Sequence, residues 1–209
     1  MTDILHACQQ HLDAIGVSCA CIEAILSDGV PEPRRWWYPV GSLDYPVEKW
    51  YSASWHSLNG SLNNGYGHTG IDLNVQVGGR GDIDRGQPVY AIADGVVVNV
   101  GYSTKYLGSV VYAVSYKNDA LFVRYWHLAD NATFRQWHAG DGIKGGAVIG
   151  NIGNYPFGGD HLHFDCALDE FGPHWWFTNH RDVRWRDPLP ILRERLDEDT
   201  VNAMVSPYL

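Results

Sequence analysis

From Trp36 to about Pro188 the apolar residues fall into runs of strand length, each closed by a turn that contains glycine. The runs are Ile71–Val77, Val89–Val100, Val110–Tyr116, Ala120–His127, Ala147–Ile152 and His161–Leu168. Short strands at close spacing specify a mainly β chain with an antiparallel sheet, a sandwich or an open barrel-like arrangement, and not a helical bundle. Composition agrees: 23 of 209 residues are glycine, well above the ~7% of average proteins. Gly95 and Gly101 bracket the most β-rich run, Val96-Val97-Val98-Asn99-Val100.

The two ends read differently. Ile4, Leu5, Cys8, Leu12 and Ile15 recur at helical intervals behind Thr2 or Asp3, which predicts a short amphipathic helix over residues 3–15. Val17 to Leu26 suits either a helix or a buried strand, because periodicity does not separate the two in so short a run. Ser27-Asp28-Gly29 and Pro31-Glu32-Pro33 then break the chain. At the other end, Pro190 to Val205 is charged and helix-forming, and predicts a peripheral helix. The expected organisation is an N-terminal helical extension over 1–35, a β domain over 36–192 and a C-terminal helix or tail over 193–209. A domain of this size buries roughly 70% of the surface its unfolded chain exposes, so it needs no disulfide scaffold. Cys8, Cys19, Cys21 and Cys166 read as free thiols.

Charge narrows the partners. Fifteen basic side chains against 24 acidic ones leave a net charge of −9. Gripping nucleic acid or an anionic membrane surface requires a basic face that releases counterions, so neither is an expected partner. No apolar run approaches the ~20 residues of a bilayer span. Met1-Thr2-Asp3 lacks a basic start, and Gln9, Gln10, His11 and Asp13 interrupt the first apolar stretch. The expectation is synthesis in the cytoplasm without a secretory signal.

Three local features carry chemistry. In His161-Leu162-His163, residues i and i+2 of a strand project to one face, so both imidazoles address one site while Leu162 enters the core. In Gly67-His68-Thr69-Gly70-Ile71-Asp72, the glycines let the backbone turn sharply and bring the ring of His68 and the carboxylate of Asp72 toward a common point. Imidazole nitrogen and carboxylate oxygen both suit zinc, and three protein ligands with an open fourth position is the coordination of a catalytic zinc. The third feature, Tyr125-Trp126-His127-Leu128, ends an apolar strand on a histidine that suits a core or edge role as well as a chemical one.

Taken in order, these features resemble a known pattern. Gly67-His68-x-Gly70-Ile71-Asp72, Gly86-x-Pro88-Val89-x-Ala91 with Asp94-Gly95-x-Val97, Trp126-His127-Leu128, Gly140-Asp141 with Gly145 and Ile149-Gly150, and His161-Leu162-His163-Phe164 together resemble the lysostaphin-type zinc metallopeptidases. These endopeptidases, glycyl-glycine endopeptidases among them, cut the peptide part of bacterial peptidoglycan. The resemblance covers roughly residues 64–192 and implies a groove floored by an antiparallel sheet. It makes His68, Asp72 and His163 the Zn2+ ligands and places His161 and His127 around the metal as catalytic residues, one as general base and one toward the oxyanion, with the two roles interchangeable. The implied partner is bacterial peptidoglycan. With that substrate, the lack of a secretory signal and the compact single unit, the expectation is a monomeric phage-type lysin, released at lysis or carried in a virion.

The chain departs from that pattern in Gly153-Asn154-Tyr155-Pro156-Phe157-Gly158-Gly159-Asp160, which lacks the Ser/Thr-rich turn usual before the His-x-His pair. The stretch from His174 to Trp185 is an aromatic-rich insertion, suited to a groove wall or to core packing. Two other readings stay open. One is a catalytically silent binding module of the same fold. The other is a D-Ala-D-Ala-type zinc carboxypeptidase, which would be expected to carry a glutamate base where this chain has Asp160.

Overall fold

Along Ile71–Val75 and Leu162–Cys166 apolar and polar residues alternate, and the structure turns that alternation into two faces of one sheet. A computed structural model describes residues 36–53, 69–75, 83–117, 119–157, 159–168 and 185–196. The expected N-terminal helix, His68 and most of the insertion from His174 to Trp185 lie outside the described residues. The strands are β1 (Trp50–Ala53), β2 (Gly70–Val75), β3 (Pro88–Tyr90), β4 (Gly95–Ser103), β5 (Leu107–Tyr116), β6 (Asp119–Leu128), β7 (Gly142–Ile143), β8 (Val148–Asn151), β9 (Leu162–Ala167) and β10 (Trp185–Arg186). Among the described residues two α-helices accompany them, α1 (Ala132–Arg135) and α2 (Pro188–Arg195), with a 3-10 turn at Val47–Lys49. The main sheet runs β1-β2-β9-β6-β5-β4-β7 with β10 also on β9, and β3 and β8 form a separate ribbon. Every pairing is antiparallel. The mainly β, antiparallel expectation holds.

Register sets which residues share a face. Ile71 lies opposite Phe164, which lies opposite Tyr125, and one step along Asp72 lies opposite His163, which lies opposite Trp126. The first row continues into a buried core of Ile71, Leu73, Val110, Tyr112, Val114, Leu121, Val123, Tyr125, Leu162, Phe164 and Cys166. The second row carries the polar groups. Leu162 is fully buried, as the alternation of the His-x-His pair requires.

Three expected elements differ in the structure. The run Val89–Val100 is not one strand: it divides into β3, in the small ribbon, and β4, in the main sheet, with a bend at Ile92–Asp94. The bend is satisfied from the core. The backbone N–H of Ile92 donates to the hydroxyls of Tyr112 (2.7 Å) and Tyr125 (3.0 Å), and that of Ala93 to Tyr112 (3.3 Å). Buried N–H groups need a partner, and two tyrosine hydroxyls from neighbouring strands supply what a ladder would have. β4 also runs through Gly101 to Ser103, paired with β5 throughout. The C-terminal helix begins at Pro188, earlier than Pro190, because Asp187 caps it by accepting the Leu189 N–H at 3.0 Å and Pro188 tolerates the first helical position. It ends at Arg195, where Leu196 is extended; residues 197–205 of the expected helix lie outside the described residues.

Gly70 lets β2 approach β9. A Cβ at this position would sit 2.2 Å from the carbonyl oxygen of Phe164 and 2.5 Å from Cβ of Asp165. Backbone cannot yield as a flexible side chain would. Gly70→Ala is therefore expected to destabilise the protein by about 1–3 kcal/mol, the range for overpacking, read as a lower midpoint in chemical denaturation; an unchanged midpoint would show that β2 and β9 tolerate separation.

Candidate active site

Three strands bring the site together. Asp72 stands on β2, His163 opposite it on β9, and Trp126 and His127 at the end of β6. His161 directly precedes β9 and reaches the same point as His163, as the strand alternation predicts. Nδ1 of His163 lies 3.0 Å, and Nε2 of His161 3.4 Å, from the same Asp72 carboxylate oxygen, Oδ1. His68, the remaining expected ligand, lies outside the described residues. Among those that are described, no group of three or more His, Cys, Asp or Glu side chains is arranged to hold a metal.

His127 closes the cluster. It has a positive φ of 67°, a left-handed conformation uncommon outside glycine, and lies at the register shift between β5 and β6, where Gly108 pairs with Leu128 and Ser109 with Trp126. This turns its ring toward the other histidines, 4.8 Å from that of His161 and 6.0 Å from that of His163 between centroids. Tyr155 stacks on it at 3.9 Å. Burial, and then the neighbouring rings of His161 and His163, push its pKa well below the usual histidine value, so the ring is neutral.

Hydrogen bonds select the tautomers. A backbone carbonyl only accepts, so the 3.0 Å contact from His127 Nδ1 to the Tyr106 carbonyl places the proton on Nδ1. The same holds for His161, whose Nδ1 donates to the Gly159 carbonyl at 2.9 Å. In His127 Nε2 therefore keeps its lone pair, and in His161 it is Nε2 that faces Asp72. His163 is arranged in the opposite sense: Nε2 lies 3.0 Å from Oδ2 of buried Asp165, and Nδ1 faces Asp72. Burial opposes a charge on His163, but Asp165 and Asp72 outweigh it and hold its pKa at about 9. Nδ1 and the Asp72 carboxylate oxygen face each other 3.0 Å apart. A divalent cation fits that place, since a ring nitrogen and a carboxylate oxygen are both zinc donors.

The residues behind the cluster were not singled out from sequence. Asp165, Arg124 and Thr69 are buried and hydrogen-bonded to one another under His163. Asp165 continues the alternation of His161 and His163 by one more step, so the signal was present. Asp160 is buried and anchors the loop that carries Tyr155: one carboxylate oxygen accepts from Arg85 Nε and the other from the Tyr155 N–H, both at 2.7 Å. Phe157, 61% exposed, packs edge-on to Tyr155 beside the histidines. The loop lacking Ser and Thr thus presents an aromatic wall.

Tyr155→Ala would uncover His127. Because burial is the main cause of the depressed pKa, the variant should move that pKa upward toward the ordinary ~6.5, followed by NMR titration of the ring protons; no movement would show that Tyr155 does not shield the ring.

Comparison with known proteins matches this region. Residues 66–171, just over half of the chain, match the model of peptidase family M23. The glycyl-glycine endopeptidase ALE-1 of Staphylococcus capitis is 29% identical over 148 residues, which cover 68% of this chain and 36% of that protein. The chain spans about a third of the length of this curated relative. Among solved structures, a putative glycyl-glycine endopeptidase LytM from Ruminococcus gnavus aligns with a TM-score of 0.49 at 20% identity, over 78% of this chain and 61% of that one. The antimicrobial peptidase lysostaphin from Staphylococcus simulans aligns with a TM-score of 0.47 at 20% identity, over 82% and 60%.

Proposed function

The chain belongs to peptidase family M23, and we propose that it is a zinc-dependent endopeptidase that cleaves peptide bonds of bacterial peptidoglycan. The observation that carries this reading is the convergence of His163 Nδ1 and His161 Nε2 on one oxygen of Asp72, with His127 beside them. Asp72 and His163 would hold the ion, with His68 as the third ligand. Bound zinc would polarise the scissile carbonyl and make water nucleophilic near neutral pH.

The protein's own residues supply proton transfer. His161 and His127 each have Nδ1–H committed to a backbone carbonyl, so each enters as a proton acceptor through Nε2. His161, nearer to Asp72, is placed to act as general base. A ring that has taken up a proton can then donate to the oxyanion or to the departing amine. The low pKa of His127 supports an initially neutral ring there. Tyr155 and Phe157 offer an apolar wall against which a peptide can lie, which suits binding by groove contacts in a protein of net charge −9. Relatedness to a glycyl-glycine endopeptidase favours small residues at the cleaved bond.

Purified protein is expected to contain about one zinc per chain by elemental analysis, and chelation should abolish activity that added zinc restores. Asp72→Ala and His163→Ala should lose both metal and activity. His161→Ala should keep the metal while turnover falls about 10²–10⁴-fold, the usual contribution of a general base. Products of a peptidoglycan digest, analysed by mass spectrometry, should show new termini within the peptides; release of terminal D-Ala would indicate a carboxypeptidase, and activity surviving in the ligand variants would refute the assignment.

A further inference from the structure

Behind His163, on the side away from Asp72, the structure holds a closed polar circuit inside the sheet. Asp165 lies two residues further along β9, opposite Gly70 of β2 and Arg124 of β6. Its Oδ1 accepts from Arg124 Nε at 2.9 Å. Its Oδ2 accepts from Arg124 Nη2, from Thr69 Oγ1 at 2.7 Å and from His163 Nε2 at 3.0 Å. Arg124 Nη2 also donates to Thr69 Oγ1 at 3.1 Å. Asp165 is 0% exposed and Arg124 1%, and the guanidinium also lies 4.5 Å from the ring centre of Trp126, which meets His163 edge-on.

A buried ion pair is costly to desolvate, and an apolar pair of similar volume often serves stability as well or better. Stability alone therefore does not account for a charged pair at this depth. Its geometry does suggest a use. A carboxylate receiving donors from an arginine and a threonine is an acceptor, so the imidazole nitrogen facing it must be the donor. That leaves Nδ1 of the neutral ring as the atom with a lone pair, on the side of Asp72.

Resting on the zinc reading above, we propose that Asp165 is a positioning residue, which with Arg124 and Thr69 fixes the His163 ring as its Nε2–H tautomer and so commits Nδ1 to the metal. Arg124 keeps the Asp165 carboxylate ionised and in place, and Thr69 ties the circuit to the start of β2, three residues before Asp72. The same circuit thus links the strand that carries the carboxylate to the strand that carries the imidazole. Outer partners of a ligating histidine typically contribute about 10–100-fold to metal affinity.

The test uses full-length protein loaded with zinc. Affinity is measured by competition with a chromophoric chelator for the wild type, Asp165→Asn and the double variant Asp165→Asn/Arg124→Met. The double variant removes both buried charges and keeps the measurement possible if Asp165→Asn alone does not fold. The ring state is read from histidine ¹H–¹⁵N spectra, where a strong bond to a carboxylate moves the Nε2 proton far downfield. The wild type should show His163 coordinated through Nδ1 with a protected, downfield Nε2–H. Each folded variant should bind zinc about 10–100-fold more weakly, with that proton shifted upfield or lost to exchange. A folded variant with wild-type affinity and an unmoved resonance, or metal on Nε2 in the wild type, overturns the positioning role and leaves the zinc reading intact. A wild type that binds no zinc overturns both.

Discussion

The register of β2 against β9 is the constraint on which the site depends. Side chains on a strand alternate between faces, so a slip of one residue would exchange Asp72 for Ile71 opposite the ligand strand and send the carboxylate into the core. The register is held from both sides. On the core face Ile71, Leu73, Leu162 and Phe164 are buried together, and on the other face Thr69 and Asp165 are joined by a short hydrogen bond. Gly70 sits where the strands come closest, and the approach leaves no room for a Cβ.

The sheet therefore does two kinds of work with the same three strands. One face is apolar and close-packed, and it makes the backbone rigid. The opposite face carries histidines and carboxylates whose orientation is inherited from that rigidity. Long-range hydrogen bonds extend the pattern to the edges: the paired hydroxyls of Tyr112 and Tyr125 hold the bend before β4, and Asp160 holds the loop that sets Tyr155 against His127. At the bend the hydroxyls come from distant strands, whereas Asp160 satisfies the nearby Tyr155 N–H and is itself held by Arg85, 75 residues away.

Much of the core of the site was readable beforehand. The alternation His161-Leu162-His163 placed two rings on one side and a leucine in the core, and that is how they lie. The strand-length runs were also readable, since short continuous apolar stretches closed by glycine-containing turns mark strands buried on both faces, as β5 and β6 are. In Val89–Val100 the local signal for the bend is only Asp94-Gly95, and the partners that stabilise it are tyrosine hydroxyls 19 to 33 residues away. Arg124 was hidden for a related reason. In sequence it reads as a charge on a strand, which usually faces water, and only its neighbour across the ladder shows why it is buried.

The sequence by itself determined the antiparallel β class, the two-residue spacing of the histidine pair and the chemical types available at the site, because these follow from local periodicity and from what each side chain can donate or accept. Tertiary structure decided the tautomers, the neutral state of His127 and the circuit beneath His163. Those depend on burial and on which atom of a distant residue stands within hydrogen-bond reach, and neither is a property of any short stretch of chain.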